Sequence, residues 1–429
     1  MSRARTILQA AVFVFYAAAP ARAAILEVQA NDNLQAAINN AAPGDIVVLA
    51  PGTYHGSVLI ATSKLTLCGK NGAIIDGNGV GHAITLAAPE ITIRGLIVRN
   101  SGRDILAKDA GVFIGNDAPG AKITDNHFVD NAVGVFLDNA SAILVQHNLF
   151  EGLQKLRMSE RGPGVAVYGT RDARILDNEF RYGRDGIFAV TSANLTIGGN
   201  RLRDLRFAVH FMYSNASTVF ENTSVGNDIG YAMMYSDHLE LRDNVSDNDH
   251  DHGMLFNYAN YSNVVKNVVL GSDKCVFIYN ANKNRFVGNW FERCGIGIHF
   301  TAGSEGNSIT GNAFIDNRNQ VKYVGTRYLD WAENGRGNYW SDNPAFDLQG
   351  RGIADTAYRP NDIVDQVVWR APAAKLLLNS PAVEVLRWAQ ATFPALHPGG
   401  VIDSAPLMAP VRPPALARLD RASEAGERP

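Results

Sequence analysis

The chain has 429 residues, 46% of them hydrophobic, and carries a formal net charge of −3. That is ample material for a large core, but the mildly acidic balance excludes a typical nucleic-acid-binding protein. Three cysteines, Cys68, Cys275 and Cys294, are too few for a disulfide scaffold.

Residues 1–23 read as a cleaved secretory signal of the Sec type. Arg3 and Arg5 give the positive n-region, Ile7 to Ala19 the apolar h-region, and "ARA" a small-x-small site that puts cleavage near Ala23. The two arginines are not adjacent, which argues against a twin-arginine signal. Cleavage removes Arg3, Arg5 and Arg22 and no acid, taking the charge from −3 to −6. No later stretch approaches about 18 consecutive apolar residues, so the sequence predicts no membrane-spanning helix.

Residues 33–60, "NLQAAINNAAPGDIVVLAPGTYHGSVLI", read as a short helix, a turn and a strand. This resembles the opening of pectin-lyase-like right-handed β-helices, where a helix caps the first coil. Such a cap is physically expected, because an open sheet end invites edge-to-edge association.

A period follows. Asn126, Asn148, Asn178, Asn200, Asn222, Asn244, Asn267, Asn289 and Asn312 recur every 22 or 23 residues, with one interval of 30. The long interval holds "GLQKLRMSERGP" (152–163), a polar loop on one coil. Three residues before each Asn stands Ile, Val, Leu or Phe. A further column runs Gly134, Gly164, Gly186, Ala208, Gly230, Gly253, Cys275, Gly297. Short β-branched runs at this period predict a single-stranded right-handed parallel β-helix over 24–325. Coils then stack about 4.8 Å apart. An amide that donates and accepts suits such a stack, so the Asn column reads as structural.

Residues 326–370, including "GNYWSDNPAFDLQGRGIADTAY", break the period and are expected to close the other end. Residues 371–397 form a helical segment, with Ser380 as N-cap and Pro381 at N1. Its apolar face is Ala382, Val385, Leu386, Ala389 and Phe393. Residues 398–429 are rich in Pro, Gly and Ala and read as a disordered tail.

Counting from the Gly column, positions +1 (Val209, Tyr231) and +3 (Phe211, Met233) are uniformly apolar and must be core. Positions +2 and +4 then face outward. They are mixed but unusually apolar for a solvent face: Asp138, Asn257 and Thr301 stand among Phe136, Phe188, His210, Leu255, Phe277 and His299, and Tyr168, Met212, Met234 and Tyr279. The residues just before each Asn, such as Asp125, Glu221 and Lys266, read as an ordinary wet face. So apolar an outward flank marks a candidate docking surface, unless a loop or the C-terminal helix folds over it.

Met212 and Met234 share a column on successive coils, with His210 beside Met212. Thioethers and imidazole select Cu(I), which makes Met212, Met234 and His210 candidate copper ligands. A sticky patch for a protein partner is the equal alternative. "DNDHDHG" (247–253) offers Asp249, His250, Asp251 and His252 for a divalent metal or acid–base work, against a plain solvated turn. "DLQGRGIAD" (347–355) lacks several acids that a calcium loop needs. Cys275 and Cys294 are offset by three residues, about 10 Å along a strand. That is too far for a disulfide unless the turn folds back, and free thiols are expected. No phosphate-binding loop is present.

These features together resemble the NosD family, periplasmic accessory proteins of nitrous oxide reductase maturation. The carriers are "PGDIVVLAPGTY", the N-x-F coils, "HFMYSNAS", "NDIGYAMMYSDHLELRDN", "HDHGMLFNYAN" and "GNYWSDN", spanning 24 to about 390. The resemblance implies a periplasmic, non-enzymatic protein. Its implied partners are an ABC transporter (a membrane subunit plus a separate ATPase), a copper chaperone and nitrous oxide reductase. Copper would be transient, with no tightly bound cofactor. Where relatives often carry an acidic G-D-G-I-G-D run, this chain has "GRGIAD". Two alternatives stand: a secreted polysaccharide lyase, hydrolase or epimerase, for which Asp138 is the lone acid in its column, and a metal-free adaptor.

Overall fold

The computed structural model describes residues 23–424, except 302, 326, 378, 379 and 394–398. The signal segment, apart from Ala23, lies outside the described residues. The chain winds as a parallel β-helix. Each coil contributes one strand to each of three sheets, of 13, 13 and 12 strands. In one coil these are Leu144–Gln146, Leu149–Glu151 and Val165–Tyr168. Every pairing between coils is parallel and in register. Strands of the third sheet run to six residues against at most four in the other two, giving the rod one broad face.

The predicted columns are the core. Phe128, Phe150 and Phe180 stack at 4.8 Å between centroids, near the coil repeat. Each Asn of the column is buried. Asn200 illustrates the pattern: its Nδ2 donates to Ile175 O and to Asn222 Oδ1, and its backbone N–H donates to the same Oδ1. Buried polar groups must find partners, and here each coil supplies the next. The residue preceding each Asn is not on a strand. Asp125, His147, Asp177, Glu221, Asp243 and Lys266 all have φ between 53° and 56°. This left-handed corner turns the Asn inward, and its exposure explains its polarity.

The ends are closed differently. Helix α1 (Leu34–Asn40) buries Leu34 and Ile38 against the first coils, and Asn33 Oδ1 caps it by accepting from Ala36 N. At the other end residues 399–424 of the tail fold onto the coils, against expectation. Gly400–Ile402 pairs in parallel with Tyr328–Asp330. Asp403, fully buried, accepts from Asn338 N at 2.7 Å and Trp340 Nε1 at 2.8 Å. Among the described residues, α-helices α2 (Ile363–Arg370), α3 (Pro381–Thr392) and α4 (Pro414–Glu424) follow the coils. The last lays Ala415 and Leu416 on Val245, Val268, Trp290 and Ala313. A few anchors order the tail, so periodicity could not signal it.

Helix α3 also departs from expectation. It packs on α2 through Val383, beside Val364 and Val368, while Val385, Leu386 and Phe393 are exposed. Among the described residues no helix is long and apolar enough to cross a membrane.

Cys275 and Cys294 form a disulfide, with Cα atoms 5.7 Å apart, correcting the free-thiol expectation. The three-residue offset falls in the corner between the second and third sheets. There Gly295 N donates to Ser272 O and the chain folds across the corner rather than running straight. Cys68 is free.

Candidate functional site

The outward face of the third sheet is less open than alternation suggests. Phe136, His210 and Leu255 are only 3%, 5% and 8% exposed. Rings one coil apart cover one another: Phe113–Phe136 at 6.0 Å, Phe136–Tyr168 at 5.0 Å and Phe188–His210 at 4.7 Å. A coil repeat is close to the thickness of a stacked ring, so ladders hide their faces and show edges. Two apolar clusters result. One gathers Ala110, Val133, Phe136 and Ala166, with Tyr168 against it. The other gathers Ile229, Ala232 and Leu255, with Phe207, Met234 and Phe277 against it. Thus Phe136, Leu255 and His210 drop out as open docking residues. Tyr168, Phe188, Met212, Met234, Phe277 and His299 are half-buried, and Tyr279 is exposed.

Met212 pairs in register with Met234, and His210 with Ala232. His210 Nδ1 lies 3.3 Å from Asp185 Oδ2. Asp185 also takes two bonds from Arg206, at 2.9 and 2.7 Å, and is fully buried. Burial pushes this carboxyl up, but the hydrogen bonds and charges of His210 and Arg206 outweigh it and hold the group below the ordinary Asp range. Asp185 and Arg206 are not among the residues expected from the sequence. The signal was an acid in a column continued by Phe207 and Ile229.

A second missed feature is a tyrosine edge beside the methionines. Tyr213, Tyr235 and Tyr258 stack at 5.0 Å and are 52%, 39% and 41% exposed. They occupy the corner position held by Asn139, Gly169 and Asn280 in other coils, with φ of 50–52°. Bulky residues rarely adopt this conformation, so it is strained. Three Tyr replacing Gly and Asn in a turn column is a pattern legible in the sequence.

The "DNDHDHG" turn does not form one site. Asp249 points inward, where Ser246 Oγ and Ser224 Oγ donate to it at 2.6 and 2.7 Å. His250 is exposed beside Asp228, and His252 lies edge-on to Phe277. Among the described residues no group of three or more His, Cys, Asp or Glu is placed to hold a metal. The soft donors that remain are the thioethers and the lone Cys68 thiol.

Full burial raises the Asp249 carboxyl from 3.8 to about 6, despite the hydrogen bonds that favour its anion. Its folded pKa is thus raised, so its contribution is fully present below pH 4 and lost as pH rises through 6. That difference is worth roughly 3 kcal/mol. Asp249→Asn is therefore expected to raise the urea midpoint at pH 8 and to match the parent near pH 4. Parallel titration curves for the two proteins would refute this.

Sequence comparison places the chain among described proteins. The family described as "Periplasmic copper-binding protein (NosD)" matches residues 152–345. A Pseudomonas aeruginosa protein named "Probable ABC transporter binding protein NosD" is 42% identical over 374 residues, covering 84% of this chain and 87% of the relative. One of the same name from Stutzerimonas stutzeri is 39% identical, covering 84% and 86%. Among solved structures, the Dettilon tailspike protein superposes with a TM-score of 0.56 at 15% identity, over 70% of this chain and 68% of that one. The last likeness is one of fold alone.

Proposed function

The chain belongs to the NosD family of periplasmic copper-binding proteins, and on that premise we propose that it works beside an ABC transporter in assembling the copper centres of nitrous oxide reductase. In this reading copper is cargo. The protein docks the transporter's membrane subunit, which works with a separate ATPase. It receives copper from a chaperone and releases it to the reductase. The observation that carries the copper step is the in-register pair Met212 and Met234 beside His210. Two thioethers and an imidazole form a donor set that favours Cu(I) over hard cations.

Docking draws support from what stays exposed. The tyrosine edge borders the methionines, and Val385, Leu386, Trp388 and Phe393 leave an apolar surface on and just after α3. Tyr168, Phe188, Met212, Met234, Phe277, Tyr279 and His299 remain the docking residues of the sheet. No enzymatic step is proposed. The relatives are named as binding proteins, and Asp138, the lone acid of its column, is held by Lys108 Nζ at 2.5 Å. Turnover of a uronate polymer would overturn that reading.

Anaerobic Cu(I) competition titration of the mature protein tests the copper step. Binding is expected in the wild type. A Met212→Ser, Met234→Ser, His210→Ala variant should lose about 100-fold or more in affinity, since even outer-shell partners typically contribute 10–100-fold. Unchanged affinity removes these ligands. A wild type that binds no Cu(I) leaves a metal-free adaptor.

A further inference from the structure

Asp185 is a fully buried acid on a nominally outward face, and its column continues through Phe207 and Ile229. Arg206 alone would neutralise it, through two hydrogen bonds. Yet the carboxylate also holds His210 Nδ1. An ionised carboxylate only accepts, so the ring must place its proton on Nδ1. In the neutral ring the other nitrogen, Nε2, then keeps a lone pair.

That lone pair is orphaned. His210 Nε2 is buried without a partner, and the side chain is 7% exposed. Its ring neighbours are Phe188 and Phe207, each at 4.7 Å between centroids, and neither can donate to nitrogen. Leaving a buried acceptor unmet costs on the order of 1–3 kcal/mol. In the next coil the register partner is Ala232, where the same column elsewhere holds Phe136, Phe188 and Phe277. A small side chain therefore adjoins the imidazole. Met212 lies two residues along the same face, and Met234 is its register partner.

A metal-binding histidine usually gives its second nitrogen to a carboxylate, which sets tautomer and ring orientation. We propose that Asp185, anchored by Arg206, is the positioning residue of a Cu(I) site, fixing His210 so that Nε2 is the nitrogen donor beside the Met212 and Met234 sulfurs. This rests on the copper reading above and goes beyond it. It assigns the donor atom and adds an outer partner that touches no metal.

Two measurements separate the claims. Selective ¹⁵N-histidine NMR of the metal-free protein, with His210 assigned by its loss in His210→Gln, reads the tautomer. The Nδ1–H form is expected in the wild type, and a mixed population in Asp185→Leu/Arg206→Met, which removes the acid together with its hydrogen-bonded arginine and leaves Arg184, 4.0 Å from the carboxylate, in place. The second is anaerobic titration with Cu(I) alone. That double variant should bind about 10–100-fold more weakly, with an unchanged circular dichroism spectrum. Asp185→Asn, which keeps an acceptor for Nδ1, should recover part of the loss. An Nε2–H tautomer in the metal-free wild type overturns the assignment of Asp185 and leaves the copper reading standing. So does wild-type Cu(I) affinity in the folded double variant. If the wild type binds no Cu(I), both fall.

Discussion

Asn222→Ala is expected to lower the unfolding free energy by about 4 kcal/mol, because it orphans several buried groups at once. Asn222 Oδ1 accepts from Asn200 N and Asn200 Nδ2. Its Nδ2 donates to Ile197 O, Phe220 O and Asn244 Oδ1. Alanine replaces none of these. Glu240→Ala, at an exposed position nearby, should stay within about 0.5 kcal/mol. Urea denaturation gives the comparison, with hydrogen exchange at Asn200 as a local readout, since long repeat arrays need not unfold in one step. Equal loss in both variants would mean that the amide column does not hold the coils together.

Asp403→Ala should cost about 3 kcal/mol and loosen the closed end. Its carboxyl accepts from Asn338 N, Trp340 Nε1 and Ala405 N, and all three lose their acceptor. Asp403→Asn keeps acceptor oxygen and should be milder. Gly337→Ala provides an independent route to the same damage. A Cβ there would stand 1.7 Å from Asp403 Oδ1, so the carboxyl must move. A shift in Trp340 fluorescence should accompany Asp403→Ala and Gly337→Ala, and an unaltered spectrum with unaltered stability would refute the role.

The coils were legible because a stacked architecture repeats its demands. Asn126 through Asn312 do the same work in each coil, and Val209 and Phe211 face inward as their columns require. What escaped depended on single residues or on side-chain geometry. Asp403 is one residue in a Pro-rich tail, and nothing around it repeats. The disulfide depends on how one corner folds. The apolar flank was placed correctly outward, yet ring ladders cover Phe136 and His210, which alternation cannot reveal. Tyr213, Tyr235 and Tyr258 carried a signal, but only a reader asking which corners need a left-handed residue would see it.

The asparagine column has a direction. From Asn126 onward each side-chain Nδ2 points to the Oδ1 of the following coil, through Asn178, Asn222, Asn267 and Asn312 to Asn338. The last donor faces the Asp403 carboxyl at 3.5 Å. Amide dipoles of roughly 3.5 D aligned head to tail add up, as they do along a helix, and each bond polarises the next. The rod is thus electrically polar along its length. Its positive end lies where the tail returns, and an acidic side chain meets it there. No single amide can be reversed without setting two donors or two acceptors face to face at both neighbours. Reversing the whole ladder would set each Nδ2 against the backbone N–H that Oδ1 now accepts and each Oδ1 against a backbone carbonyl, so every coil fixes the direction, and the closing carboxyl, which offers only acceptors, matches it.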